Sequence, residues 1–409
     1  MAKIYIVDVT NRDGVQTSKI CLSKLEKTMI NIYLDKLGIF QSEFGFPITT
    51  HEKNYLNGNL ELATLKKIRK MRLSGWLRAI PSDVEKAFIN CPKLEYMNLS
   101  ISTSDIMIRH KFKGKYSRSG IIKSMVNATK AAKEKGALSI GINAEDASRS
   151  EMDFLIDFAA AAKDAGADRF RYCDTLGQET PFSIYDRIGQ IADNVSIGIE
   201  IHCHNDLGMA VANSVAGAKA AIEKGVNAYI NTCVNGIGER AGNADLVSVI
   251  LAIVYGKDMG KRMLDRRTKL KTAYKLCKYA SYALGIPIPI NQPGLGENAF
   301  SHESGIHADG ALKNRRNYEL YDFEELGRGE PEVIDTGRQI TVGEYSGIKG
   351  FRNVYERLAV KFDSDEEATE ILELVRYANI HNQKPLVEEE LRFIAEHPEI
   401  AKQIFSMDP

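Results

Sequence analysis

Eight short runs rich in β-branched and aromatic residues recur along the first part of the chain, and amphipathic stretches with helical periodicity lie between most of them. The strand candidates are Ile4–Val9, Gln41–Phe46, Trp76–Ile80, Tyr96–Ile101, Leu138–Ala144, Arg169–Cys173, Ile197–Cys203 and Ala228–Thr232. The helix candidates are Ser23–Leu37, Leu60–Arg72, Ser119–Lys135, Glu151–Ala165, Pro181–Ala192 and Gly208–Lys224. Eight such units within about 250 residues predict a closed (β/α)8 barrel, or TIM barrel. An open doubly wound sheet is the alternative, but eight evenly spaced units favour closure.

The rest of the chain divides into two further regions. A helical stretch from Arg262 to Ala283 precedes a passage rich in Pro and Gly over 286–294, which marks a boundary. Beyond Gly343 the apolar residues again recur at helical spacing. We therefore predict a catalytic barrel over 1–260, a linker and subdomain over 261–342, and a small, mainly helical C-terminal subdomain over 343–409.

Composition argues against two classes of partner. The chain has 54 basic and 54 acidic residues, so no net field favours nucleic acid or a membrane surface. No segment reaches the roughly 18 consecutive apolar residues of a membrane span, and the first strand begins too early to leave room for a signal peptide.

The six cysteines are widely spaced and contain no C-x-x-C pair, which is typical of a reduced protein. We expect a cytoplasmic protein.

A candidate metal site lies at the end of the seventh predicted strand. His202 and His204 are two residues apart, so both side chains point to one face of that strand. Barrel closure makes strands seven, eight and one neighbours, which brings Asp13 and Asn243 to the same side of the mouth. One carboxylate, two imidazoles and one amide oxygen suit Mn²⁺, Mg²⁺, Co²⁺ or Zn²⁺ with positions open for substrate. The alternative is that Asp13 and Asn243 only cap turns.

Four ordered motifs resemble the DRE-TIM metallolyases, and the last of them resembles the subgroup of acyl-CoA:2-oxoacid synthases. The motifs are Asn11-Arg12-Asp13-Gly14-Val15-Gln16, His202-Cys203-His204-Asn205-Asp206, Gly236-Ile237-Gly238-Glu239-Arg240-Ala241-Gly242-Asn243 and Asn298-Ala299-Phe300-Ser301-His302-Glu303-Ser304-Gly305-Ile306-His307. The resemblance implies a Claisen condensation of acetyl-CoA with a 2-oxoacid, followed by hydrolysis of the thioester. It also implies a divalent metal, of which Mn²⁺ is favoured, as Lewis acid and template.

The same resemblance implies roles for residues around the metal. Arg12 stabilises the alkoxide that develops during attack on the keto group. Asn143, Glu145 and Thr175 occupy positions that surround the acceptor. Apart from the resemblance, a distal carboxylate of the acceptor needs an arginine partner, and Arg78, Arg109 and Arg149 are the candidates.

Proton transfer has several candidate residues. The Glu239–Arg240 pair and His302 are candidates for removal of the acetyl proton and for thioester hydrolysis, and Glu145 is a further candidate catalytic residue. Glu239 can alternatively form a plain ion pair with Arg240, and His307 can replace His302 in function. In the family the segment of His302 reaches into a neighbouring subunit, so the resemblance implies a homodimer.

The chain departs from the family pattern at positions that bear on the acceptor. Lysine-pathway homocitrate synthases carry an arginine for a distal carboxylate where this chain has Gly141, and Asn143 replaces a Ser or Tyr. Asn11 and Val15 replace the usual Leu and Glu of the first motif, as in the Re-face citrate synthases of anaerobes. This favours oxaloacetate as acceptor and citrate as product. The alternatives are homocitrate synthase with 2-oxoglutarate, then isopropylmalate or citramalate synthase, then a related acyl-CoA lyase.

Overall fold

Eight parallel strands close into a barrel in the computed structural model, which describes residues 2–331 and 336–406. The strands are β1 (Ile4–Asp8), β2 (Gln41–Gly45), β3 (Arg72–Arg78), β4 (Tyr96–Ser102), β5 (Ser139–Glu145), β6 (Arg169–Asp174), β7 (Gly198–Cys203) and β8 (Ala228–Thr232). Closure is made by β1 and β8, which pair from Ile4↔Ala228 to Asp8↔Thr232. The predicted (β/α)8 barrel is confirmed. Residues 332–335 and 407–409, within the second and third predicted regions, lie outside the described residues.

Helices cover the outside of the barrel and make up the C-terminal region. Those up to the end of the barrel are α1 (Lys24–Leu37), α2 (Lys53–Thr64), α3 (Pro81–Asn90), α4 (Asp105–His110), α5 (Arg118–Glu134), α6 (Met152–Asp164), α7 (Pro181–Asn194), α8 (Ala210–Glu223) and α9 (Leu246–Tyr255). Those beyond it are α10 (Ala273–Leu284), α11 (Gly305–Lys313), α12 (Ile348–Arg357), α13 (Asp365–Asn382), α14 (Glu388–Glu396) and α15 (Pro398–Phe405). None of the helices in the described ranges is long and apolar enough to span a membrane.

The ends of the barrel helices follow local sequence signals. Ser23 and Glu26 form a reciprocal capping box that starts α1, and Gly38 ends that helix in the left-handed conformation. Thr180 caps α7 in the same way, with Pro181 at its first position. These signals place the helix boundaries close to those predicted from periodicity.

Four features of the structure differ from the sequence predictions. Strand β3 begins at Arg72 rather than Trp76, and α2 precedes the predicted Leu60–Arg72. The reason for the second error is that a polar residue, Asn59, lies on the inner face of α2 and bonds to Thr28 Oγ1 at 2.9 Å. Helix α3 was not predicted, because its buried apolar face consists of only two residues.

The fourth difference concerns the segment after the barrel. The helix predicted from Arg262 begins only at Ala273, because the preceding residues run back to the barrel and Leu264 forms a bridge with Ile4. Helix α15 then packs against α2, where a Cβ atom on Gly58 would lie 2.8 Å from Ile404 Cγ1. The C-terminal helices are thus attached to the first units of the barrel.

Candidate active site

Asp13, His202 and His204 form a compact buried cluster at the carboxyl ends of β1 and β7. Their ligand atoms all lie within 4.8 Å of one another. The Nε2 atoms of the two histidines are 3.3 Å apart, and His202 Nε2 is 3.7 Å from Asp13 Oδ2. Asn243 joins them, because its Nδ2 donates to Asp13 Oδ1 at 2.7 Å and its backbone bridges His204. The structure brings together all four residues predicted as metal ligands.

Neighbouring charges and burial keep Asp13 ionised and both histidines neutral, which is the protonation state that binding of a cation requires. Burial opposes ionisation of Asp13, but the charge of Arg12 and the other neighbouring groups, including the hydrogen bond from Asn243, together outweigh it and hold the carboxyl pKa well below its usual range. Burial lowers the pKa of both His202 and His204, so the two imidazoles are neutral. The Nδ1 atoms of both histidines and Oδ1 of Asn243 are buried without a hydrogen-bond partner among the described residues. A carboxylate with neutral imidazoles and an unpartnered amide oxygen fits a divalent cation.

A network of buried ion pairs supports the cluster from below. Arg12 Nε donates to Glu43 Oε2 at 2.5 Å, and Arg171 Nη2 donates to Glu43 Oε1 at 2.7 Å. Arg171 also pairs with Glu200, which is bound by Arg169 as well. Burial raises the pKa of Glu43, but the two arginines outweigh it and lower it to about 2. These ion pairs form a layer inside the barrel that fixes the Arg12 side chain.

Sequence reasoning did not assign Arg171 to the site. A signal for it existed, because Arg169 and Arg171 alternate with Phe170 and Tyr172 along a buried strand. Two arginines on one face of such a strand require carboxylate partners within the barrel.

A cavity of about 230 Å³ opens beside the cluster, and we call it the acceptor cavity. It is lined by Arg12, Asp13, Gln16, Phe46, Trp76, Ser100, Asn143, Glu145, Arg171, Cys173, Thr175, His202 and His204. Oδ1 of the buried Asn143 has no partner in the described structure. Thr175 Oγ1 accepts a hydrogen bond from the Asp146 amide at 2.9 Å, which leaves its own proton available. Three residues predicted to surround the 2-oxoacid substrate therefore lie in one cavity with the cluster: Asn143, Glu145 and Thr175.

A second cavity of about 500 Å³ adjoins the first, and we call it the basic cavity. Its lining includes Arg78, Lys111, Phe112, Lys113, Lys115 and Tyr116, and it shares Trp76, Ser100 and Glu145 with the acceptor cavity. Lys111 Nζ donates to Glu145 Oε1 at 2.7 Å. Arg78 was predicted to bind the 2-oxoacid substrate. It lies in the basic cavity instead and forms a bidentate ion pair with Asp83.

The remaining predicted residues lie further out. Glu239 and its neighbour Arg240 are both exposed on the loop after β8. Arg240 bonds to Asp206 Oδ1 at 2.8 Å and to the Thr175 carbonyl at 2.6 Å, which ties three strand ends together. His302 lies beyond the barrel with its Nε2 atom 3.4 Å from Glu319 Oε1.

A (β/α)8 barrel with a cluster of polar and ionisable side chains at the carboxyl ends of its strands is the arrangement of a TIM-barrel enzyme. The chain belongs to the HMGL-like family, whose model matches residues 3–282. A second model, described as homocitrate synthase post-HMGL domain-like, matches residues 295–382. The chain is thus a member of the family that its motifs resemble.

Curated relatives cover almost the whole chain. It is 56% identical to a citrate (Re)-synthase from Dehalococcoides mccartyi, over 100% of this chain and 99% of that protein. It is 40% identical to 2-isopropylmalate synthase 2 from Caldanaerobacter subterraneus, over 96% and 95% of the two chains. It is 36% identical to homocitrate synthase 1 from a Nostoc species, over 96% of each chain.

Solved structures agree with the fold. The HMG-CoA lyase from Brucella melitensis aligns with a TM-score of 0.55 at 17% identity, covering 70% of this chain and 100% of the lyase. A hydroxymethylglutaryl-CoA lyase from Pseudomonas aeruginosa aligns with a TM-score of 0.57 at 16% identity, covering 70% of this chain and 94% of the lyase. At these identities the likeness supports the barrel alone.

Proposed function

We propose that this protein condenses acetyl-CoA with oxaloacetate and hydrolyses the resulting thioester, releasing citrate and free coenzyme A. The observation that carries the proposal is the acceptor cavity, whose lining combines Asp13, His202 and His204 with the buried Asn143. Identity of 56% over the full chain to a citrate (Re)-synthase supports oxaloacetate as the acceptor. The size of the cavity, about 230 Å³, suits a small dicarboxylate.

The residues of the cavity bind and polarise the acceptor. A divalent cation held by Asp13, His202 and His204, with Mn²⁺ favoured, would supply Lewis acidity at the keto oxygen. Arg12 stabilises the negative charge that develops on that oxygen, because Glu43 and Asp13 hold its guanidinium in place. The Nδ2 group of Asn143 donates a hydrogen bond to a carboxylate of the acceptor.

Glu145 is the residue that we assign to removal of the acetyl proton. It lines both the acceptor cavity and the basic cavity, so its carboxylate lies between the two substrates. The proton moves from the acetyl methyl group to Glu145, and the resulting carbanion attacks the keto carbon of oxaloacetate. Water then cleaves the thioester, and the thiol of coenzyme A leaves.

We further propose a cytoplasmic homodimer in which residues 261–342 complete the partner's site, with His302 and Glu239 assisting hydrolysis. Large apolar side chains on and near α11 support an interface: Ile306, Leu312 and Leu320 are exposed by 76%, 88% and 66%. Sedimentation velocity on Leu312→Glu tests this, with Leu138→Glu as a control at an exposed leucine (60%) that precedes β5 at the other end of the barrel. We expect monomers only for Leu312→Glu; a wild-type monomer would overturn the assembly.

An acceptor screen tests the function. Thiol release from acetyl-CoA is measured with Mn²⁺ and oxaloacetate, 2-oxoglutarate, pyruvate or 2-oxoisovalerate. We expect the highest kcat/KM with oxaloacetate and citrate as product. Faster turnover of 2-oxoglutarate would reassign the enzyme as a homocitrate synthase, and thiol release with none of the four would overturn the condensation.

A further inference from the structure

A pocket of about 530 Å³ lies at the end of the barrel opposite the acceptor cavity, and we call it the rear pocket. It is formed where the chain leaves α2 and α3 and enters β3 and β4. Arg72 and Tyr96 begin these strands and line the rear pocket, whereas Trp76 and Ser100, four residues further on, line the acceptor cavity. Four residues of a parallel strand span about 13 Å. A ligand in the rear pocket is therefore remote from the Asp13 cluster.

The rear pocket is strongly basic, although the chain as a whole carries no net charge. Among the described residues that line it, one is acidic, Glu95, and six are cationic: Arg69, Lys70, Arg72, Lys93, Lys135 and Arg267. Lys93 pairs with Glu61, and Arg267 pairs with Asp265. The other four form no ion pair within the described part of the chain, and we call them the unpaired cations. Their charge is available to an anionic ligand.

Arg72 is held in place by aromatic rings rather than by a carboxylate. Its guanidinium carbon lies 4.6 Å from the centre of the Phe40 ring and 5.1 Å from the centre of the Tyr96 ring. The side chain is half-buried, yet its N–H groups have no hydrogen-bond acceptor among the residues that the structure describes. A guanidinium offers five such donors in a planar fork that matches phosphate oxygens. The fold thus orients a phosphate-binding group without giving it a partner.

The loop between α2 and β3 is fixed through its backbone. The buried carboxylate of Asp35 on α1 accepts hydrogen bonds from three successive backbone amides of this loop. The donors are Arg69, Lys70 and Met71, at 3.0, 2.6 and 2.9 Å from Asp35 Oδ1. Because these bonds use the backbone, the side chains of Arg69 and Lys70 remain on the pocket wall.

The rest of the wall is largely apolar. Leu60 of α2 and Phe88 of α3 line it together with Leu73 and Leu94, which lie in β3 and before β4. The volume of about 530 Å³ falls in the range of small-molecule sites, about 300–1,000 Å³. A ligand that fits must combine several negative charges with an apolar body of this size. A nucleoside polyphosphate has both.

We propose that the rear pocket binds a nucleoside polyphosphate, with the phosphates on the four unpaired cations and the base on the apolar wall at Leu60 and Phe88. Such a ligand is an effector rather than a substrate, because it binds at the amino ends of the strands. The site does not depend on which 2-oxoacid the acceptor cavity takes.

Paired charge reversal tests the proposal by calorimetric titration of the full-length, Mn²⁺-loaded protein with ATP. Mg²⁺ in excess prevents the nucleotide from removing the Mn²⁺. We compare Lys70→Glu/Lys135→Glu with the control Lys66→Glu/Lys67→Glu, which makes the same charge change at exposed lysines outside the pocket wall. We expect the first pair to raise the Kd for ATP about tenfold or more, and the control to change it less than about twofold. Equal shifts in the two pairs, or no binding by the wild type, would overturn the site.

Fragments of the ligand test its two ends separately. Tripolyphosphate should bind more weakly than ATP and should still distinguish the wild type from Lys70→Glu/Lys135→Glu. Adenosine should bind both proteins equally. Equal affinity for tripolyphosphate and ATP would overturn the contact with the base, and a tripolyphosphate affinity that is the same in both proteins would overturn the phosphate contacts.

Turnover without nucleotide separates this inference from the proposed function. Lys70→Glu/Lys135→Glu should keep the kcat/KM of the wild type for acetyl-CoA, because both lysines lie at the far end of the barrel. A large loss of this activity would trace the weaker ATP binding to a damaged barrel and overturn the site. Calorimetry needs no turnover, so selective ATP binding in a protein without thiol release would keep the rear pocket and overturn the condensation alone.

Discussion

The side-chain oxygen of Asn98 lies 2.1 Å from the point that a Cβ atom on Gly141 would occupy. Asn98 cannot easily move away, because its Nδ2 donates to Glu43 Oε1 at 2.5 Å and its Oδ1 accepts from Arg169 Nη2 at 3.4 Å. The layer beneath the acceptor cavity is therefore filled. An arginine at position 141, as in lysine-pathway homocitrate synthases, would require this layer to be rebuilt.

Gly141→Ala should destabilise the protein by about 1–3 kcal/mol, since the new methyl group displaces Asn98 from Glu43. Urea unfolding measures the change. Gly189→Ala is the matched control, because its Cβ atom would only reach Lys224 Cε at 4.0 Å. An unchanged unfolding midpoint for Gly141→Ala would contradict the packing described for this layer.

Removal of one imidazole should separate metal binding from folding. We expect His204→Ala to lose bound Mn²⁺ and to reduce thiol release by at least about 100-fold, with an unchanged circular dichroism spectrum. Chelation of the wild type should lower its melting temperature, because a bound ion stabilises only the folded state. His51→Ala, at an exposed histidine, is the control. Full turnover by His204→Ala would refute the assignment.

Glu390 should make stability depend on pH. Its Oε1 accepts from the Tyr279 hydroxyl at 2.7 Å, and burial raises its pKa from 4.5 to about 7. The folded protein therefore keeps a proton that the unfolded chain loses above pH 4.5. Stability falls as pH rises from 4.5 to 7, by about 3 kcal/mol for this group.

Glu390→Gln should remove that dependence. Urea unfolding at pH 4.5 and pH 8 gives the free-energy difference between variant and wild type at each pH. We expect the variant to gain about 3 kcal/mol relative to wild type on going from the lower to the higher pH. Two parallel pH profiles would show that Glu390 is ionised in the folded protein.

The thiols should differ sharply in reactivity. Cys21 is exposed and the other five cysteines are buried, and burial raises the pKa of those at positions 203, 233 and 277. One thiol per chain should react rapidly with a disulfide reagent, and all six after denaturation. Cys21→Ser should abolish the fast phase. A fast phase of two or more thiols would indicate an opened barrel.

The alternation of strands and helices predicted the barrel, because the two-residue period of a strand and the 3.6-residue period of a helix are local properties of the chain. The assembly of Asp13 with His202 and His204 followed from barrel closure, since parallel strands end on one side. The contact between Asn98 and Gly141 could not be predicted, because it depends on a side-chain conformation on a neighbouring strand. Helix α3 was missed for a different reason, because only Val84 and Ala87 form its buried apolar face.

Trp76 is the chain's single tryptophan, and its ring contributes to the walls of both cavities. It lies edge-on to Phe46 with ring centres 5.7 Å apart, and the guanidinium of Arg12 is 5.8 Å from its ring centre. Its emission therefore reports on two ligands at once without an added label. Rapid-mixing fluorescence can then establish the order in which the two substrates enter and whether the first one changes the entry rate of the second.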